Sequence, residues 1–195
     1  MSLAPQTPLS LSLPLSLPLS LSLSQQSISP PTLLTTITNT SPSETYTLLT
    51  WSSPLDTLAL QLGLVAITTP PDDTPFPTPK IMVKRAMPPP TTSLVTLAPG
   101  ESASQEVVFR EPIVDLEKLR EVLDEAGEKT VGVQVRCGAA EEKKEEGEEE
   151  GDKGGVVVWV GKRKEELTSE QLKSLGRDGS AVWWRVKSEV LQFEV

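Results

Sequence analysis

Histidine is absent from the 195 residues, and cysteine occurs once, as Cys137. Structural and hydrolytic zinc sites draw on His, Cys and carboxylate together, so neither standard set can be assembled from this chain. A Ser or Cys nucleophile normally works beside a base within hydrogen-bond reach, and the usual base is missing. A lone cysteine rules out an intramolecular disulfide and suits a reducing compartment better than an extracellular one. No unbroken apolar run reaches the ~20 residues that a membrane-spanning helix needs. Glycine-rich phosphate loops are missing too: Gly147, Gly151, Gly154 and Gly155 interrupt an acidic tract that repels phosphate. The expectation is a chain with no catalytic residue, no cofactor and no metal.

Charge is distributed unevenly. Residues 1–43 carry no charged side chain, whereas residues 141–154 hold −5 of the net −9. Binding a nucleic-acid backbone requires clustered Lys and Arg that release counterions, and an acidic balance argues against it. Lys80, Lys84 and Arg85 form the nearest approach to a basic patch. The acidic run lacks the alternating Asp, Asn and Gly of a shaped calcium loop and reads as a solvated segment. Adjacent Asp72 and Asp73 read likewise as surface carboxylates rather than an acid/base pair.

What is present is mostly strand signal. The Leu-Ser alternation up to Leu23, broken by Pro14 and Pro18, has neither the basic region nor the continuous apolar core of a secretory leader. Its period of two predicts a strand over residues 19–28 after a low-complexity arm, 1–18. Residues 33–38 and 45–51 read as a hairpin across a turn-rich connection, followed by a long apolar strand over 58–67. The stretch 80–110 organises the rest: a strand with Lys84 and Arg85, a linker of Pro88, Pro89 and Pro90, then a hairpin turned at Pro99-Gly100. In its last strand Ala103, Gln105, Val107 and Phe109 share one face, as a half-buried sheet requires. Asp115 caps a helix over 116–125 that Gly127 stops, and Thr168 with Gln171 makes a capping box before a shorter helix ended by Gly176. Residues 130–136 and 156–160 read as strands pairing across a disordered acidic loop at 139–154, and 182–186 and 189–195 supply the closing strands.

Eight or nine strands and two helices predict a mainly β fold, an antiparallel immunoglobulin-like β-sandwich with two short helical excursions, spanning 19–195 as one domain. Loops carried on a rigid sheet usually do the recognising, which makes 69–79 and 87–92 the candidate contact loops. The candidate contact residues for a protein partner are Lys84, Arg85, Pro88, Pro89, Pro90 and one of the adjacent pair Trp183 and Trp184, taken as Trp184, since an extended chain points the two to opposite faces. Asn39-Thr-Ser41 is a formal glycosylation acceptor that matters only in a secreted chain. A monomer without a membrane span is expected, cytoplasmic in the first reading and secreted in the alternative.

Trp51-x-x-Pro-Leu-Asp56, Val83-Lys-Arg-Ala86 and Leu97-Ala-Pro-Gly-Glu-Ser102 occur in an order that resembles the non-catalytic β-sandwich preceding the peptidase domain in deuterolysin and peptidyl-Lys-type zinc metalloendopeptidases. The resemblance covers residues 33–110. The peptidases' HExxH helix has no counterpart here, so what the resemblance implies is a stand-alone sandwich that binds another protein, in the manner of a pro-domain or peptidase inhibitor. A scaffolding or stress-related protein without a peptidase partner is the alternative.

Overall fold

The structure is a computed structural model that describes residues 17–137 and 155–195. Most of the expected arm and the acidic loop at 139–154 lie outside the described residues. Strand β1 (Leu19–Ile28) takes the range that the alternation predicts, because Leu19, Leu21 and Leu23, at every second position, turn to the core while Ser20, Ser22 and Ser24 face out. The fold begins slightly before it: Leu17 is buried, and the Pro18 carbonyl accepts the Thr40 N–H at 2.8 Å. β1 pairs antiparallel with β2 (Pro31–Asn39). β2 in turn does not form a hairpin with β3 (Tyr46–Leu49), which lies in another sheet. That correction has a local cause. Fully buried Asn39 donates its side-chain amide to the Glu44 and Leu97 carbonyls and accepts the Ser41 N–H at 2.9 Å, which turns a corner across the core. Its amide hydrogens are thereby spent, and the glycosylation reading of Asn39 is set aside.

The long strand expected at 58–67 is shorter. Residues 57–63 wind through turns ended by Gly63 at φ 75°, and β4 occupies Val65–Thr69, followed by the two-residue β5 (Thr74–Pro75). No ladder forms over 80–86 either. Strands β6 (Leu94–Leu97) and β7 (Ser102–Val108) do flank Pro99-Gly100, with Gly100 at φ 78°, but β6 pairs with β3 and β7 with β2. The expected hairpin is therefore a second corner between sheets. Asn39 holds the two corners together, its N–H donating to the Glu101 carbonyl at 2.9 Å and its carbonyl accepting from Gly100 at 3.0 Å.

Helix α1 (Leu116–Ala126) keeps both predicted caps: the Asp115 carboxylate accepts the Lys118 N–H at 2.9 Å, and Gly127 adopts φ 69°. Buried Leu119 and Leu123 dock it on the core. β8 (Thr130–Cys137) and β9 (Val156–Val160) do not pair with each other, contrary to expectation. β8 lies between β4 on one side and β11 (Val186–Lys187) with β12 (Leu191–Glu194) on the other, whereas β9 lies between β3 and β10 (Val182–Trp184). Between β11 and β12 the Ser188 hydroxyl accepts the Val135 N–H at 3.0 Å and keeps the interrupted strand in register. Among the described residues this makes twelve strands in antiparallel sheets of order β1-β2-β7, β10-β9-β3-β6 and β11-β8-β4-β5, with β12 on β8.

The main core lies between these sheets and includes Leu33, Ile37, Leu48, Phe109, Val133, Val158 and Phe193. The Phe109 and Phe193 rings stack with centroids 4.8 Å apart. A second, smaller core forms on the opposite face of the β3-β9 sheet, where Leu49, Val157 and Trp159 meet Leu172 of α2 (Ser169–Ser174). Burial on both faces explains why β9 reads as an unbroken apolar run instead of alternating. The capping box at Thr168 and Gln171 forms as predicted and sets α2 down over that face.

Candidate interaction surface

The segment between β5 and β6 leaves the sheets and runs over the surface. Residues 76–86 contain no turn, bend, helix or ladder, and Pro77 and Pro79 restrict themselves and the residues before them to extended backbone. Five points fix this strap. Buried Phe76 donates its N–H to the Ile67 carbonyl at 2.8 Å, and Ile81 donates to the Gln61 carbonyl at 2.9 Å. The Lys80 side chain lies across Gly63 so closely that a Cβ there would meet its Cε at 2.8 Å. Arg85 is clipped to Asp56, and buried Pro89 closes the far end.

The clip is built from two of the motifs seen in the sequence. Asp56 is 3% exposed and accepts the Arg85 Nη2 at 2.6 Å, the Ser52 N–H at 2.8 Å and the Leu58 N–H at 3.0 Å. Ser52 sits at φ 52°, a conformation that L-residues other than Asn, Asp and His seldom adopt, and the Asp56 carboxylate holds its N–H there. The Arg85 guanidinium also lies 5.2 Å from the centre of the Trp51 ring, within cation–π range. Trp51, Asp56 and Arg85 thus form one unit that holds the strap against the turn at 52–58.

These positions sort the predicted contact residues. Lys84, Pro88 and Pro90 are exposed, whereas Pro89 is buried and Arg85 is spent on the clip. Trp184 is 7% exposed inside the main core, and its neighbour Trp183 is the half-exposed one. Alternation requires opposite faces for the pair: Trp184 points into the main core between the sheets, and Trp183 towards the smaller core beside α2, which covers it only in part. The strap also carries a feature that the sequence reading missed. Of the seven large hydrophobic residues exposed among the described residues, Ile81, Met82, Val83 and Met87 lie on it, and Met82 is exposed in full. An apolar run following Pro77 and Pro79 was read as a strand, when the same residues could signal an unpaired segment.

Elsewhere the surface offers less. A groove of about 390 Å³ lies beside α1 and is lined by Arg120 and Lys129 together with Asp124 and Glu128, opposed charges that favour no one ligand. Cys137 is buried, and burial, helped by the nearby Asp56 charge, pushes its thiol from 9.0 up to about 12, so it stays protonated and unreactive. Among the described residues no three His, Cys, Asp or Glu side chains gather closely enough to hold a metal ion, and no helix is long and apolar enough to cross a membrane.

Residues 18–136 match the family model of an immunoglobulin-like domain, and no curated protein matches the chain.

Proposed function

Since the chain belongs to an immunoglobulin-like domain family, matched over more than half its length, we propose that it is a non-enzymatic protein-binding module whose recognition surface is the strap at 76–90. The observation that carries this reading is the concentration of exposed apolar side chains on a segment fixed at one end by buried Phe76 and towards the other by the Asp56–Arg85 clip and buried Pro89. Exposed apolar patches on soluble proteins mark interaction sites, and fixing a loop in advance lowers the entropy lost on binding. Lys84, Pro88 and Pro90 lie on the same strap and belong to that surface.

A narrower form makes the partner a metallopeptidase, shielded as a pro-domain shields its own enzyme. It rests on the resemblance at 51–56, 83–86 and 97–102, the first two of which meet in the clip; the family match does not name those peptidases. Residence in a reducing compartment, as a monomer, goes with the single buried thiol and the engaged Asn39 amide.

Affinity purification with the full-length chain from native extract tests the reading. A stoichiometric partner that is lost with Met82→Asp and retained by a surface control such as Glu117→Gln is expected. Recovery of no partner above background, with no effect on metallopeptidase activity, overturns it.

A further inference from the structure

The backbone of the strap is as unusual as its side chains. Among the described residues, none of the N–H or C=O groups of residues 82–86 is hydrogen-bonded. In an extended chain the N–H and C=O of one residue point to one edge and those of the next residue to the other. Ile81 turns its N–H inward to Gln61, so Met82 and Lys84 present theirs on the open edge. An open edge with extended geometry is a template for one more strand.

The side chains define what that strand carries. Lys80, Met82 and Lys84 share one face by the period of two, and Ile81 and Val83 share the other. Residues 74–100 contain three cations and no acid in a chain of net charge −9; with Arg85 held by Asp56, Lys84 is left in solvent, and Lys80, although its stem lies across Gly63, is exposed as well. A second copy is a poor occupant. Two-fold antiparallel pairing centred on Met82 sets Lys80 of one copy against Lys84 of the other, and like charges directly opposite destabilise a ladder.

We infer that the open edge of the strap at 80–84 accepts, by strand addition, an extended segment of a partner protein with carboxylates at positions i and i+4 and apolar residues between them. The inference rests on the protein-binding reading and specifies its mode. Main-chain bonds to Met82 and Lys84 supply affinity, and the two lysines select the acidic register.

The test uses isotope-labelled full-length protein, amide NMR, and a short peptide with Glu at i and i+4 and Val between. Expected are shifts of the 81–86 resonances, loss of those shifts when Lys replaces Glu in the peptide, and roughly tenfold weaker binding when the peptide's edge amides are N-methylated. Met82→Pro, which removes an edge N–H that nothing among the described residues uses, is expected to weaken binding more than Met82→Ala, which keeps it. The peptide arm needs no folded variant, so it decides the matter even if Met82→Pro perturbs the protein. Equal binding of the N-methylated peptide, or no shift at 81–86 with the acidic one, overturns the inference. Binding seen only after residues 139–154 are deleted also overturns it, by naming the chain's own acidic tract as occupant. Shifts confined to another surface, such as that around Trp183, overturn strand addition at the strap while leaving the protein-binding reading intact.

Discussion

The Asp56–Arg85 clip gives the sharpest stability test. Asp56→Ala removes a nearly fully buried acceptor that serves the Arg85 guanidinium at 2.6 Å and two backbone N–H groups. A hydrogen bond to a charged group is worth about 1.5–3 kcal/mol, and removing one partner of a buried pair typically costs about 3–5 kcal/mol. The Arg85 side chain is 24% exposed and can rehydrate, and Ser52 is exposed, so the lower end applies: about 3 kcal/mol for Asp56→Ala. Arg85→Met leaves the carboxylate with its two N–H donors and should cost about 1–2 kcal/mol, including a few tenths to about 1 kcal/mol from the lost contact with Trp51. If the clip is one unit, the double variant falls short of additivity by about 1–2 kcal/mol. Urea unfolding followed by tryptophan fluorescence at constant m measures all four corners of the cycle. Trypsin supplies a local readout, because Arg85→Met should free the strap and speed cleavage after Lys84 well beyond what the global loss explains. A coupling below about 0.5 kcal/mol, or an Asp56→Ala cost within the ~0.5 kcal/mol of an ordinary surface substitution, would refute the clip.

Two further outcomes are expected. Trp159 is fully buried and its Nε1 meets no hydrogen-bond partner among the described residues, so Trp159→Phe should cost under about 1.5 kcal/mol while Trp159→Ala costs about 3–5 kcal/mol in thermal or urea melts; equal costs would show that the indole N–H is satisfied after all. Cys137 should resist alkylation in the native protein at neutral pH, and because its thiol rises from 9.0 to about 12 on folding, the folded state favours the neutral form. Its contribution is then complete below pH 9.0 and is lost between there and about 12, at about 1.4 kcal/mol per pH unit relative to Cys137→Ala; parallel stability curves for the two proteins would contradict the shift.

The clip also separates two roles within the strap. Arg85 looked, in the sequence, like part of the same basic patch as Lys84, yet one is consumed by Asp56 and the other is left in solvent. The spacing cannot distinguish them, because the discriminating group lies 29 residues earlier in the chain. Their consequences differ accordingly: loss of Arg85 should loosen the strap, and loss of Lys84 should change only what the strap recognises.

Features decided within a few residues were legible in the sequence. The caps of α1 at Asp115 and Gly127, the capping box of α2, the range of β1 and the inward face of β7 all follow from side chains acting on their immediate neighbours, so no distant contact was needed to place them. The antiparallel sandwich was legible for the same reason, from many short alternating strands between turns. Pairing was not. A turn signal fixes where the chain reverses, but the same turn serves a hairpin within one sheet or a corner between two, and at 39–46 and 97–102 it was a corner. That choice was made by burial: Asn39 spends its amide on two carbonyls across the corner, and β9 needs both faces covered and so takes the centre of a sheet instead of the place beside β8. Likewise Asp56, by taking the Ser52 and Leu58 N–H groups, winds into turns a stretch whose apolar residues read as strand. The main core takes the Trp184 face of its pair while the small core beside α2 covers Trp183 only in part, and the absence of any neighbouring strand among the described residues leaves 80–86 unpaired. Local chemistry set the conformations available to each segment; which of them were kept depended on contacts between residues far apart in the chain, because only those contacts remove a face from water.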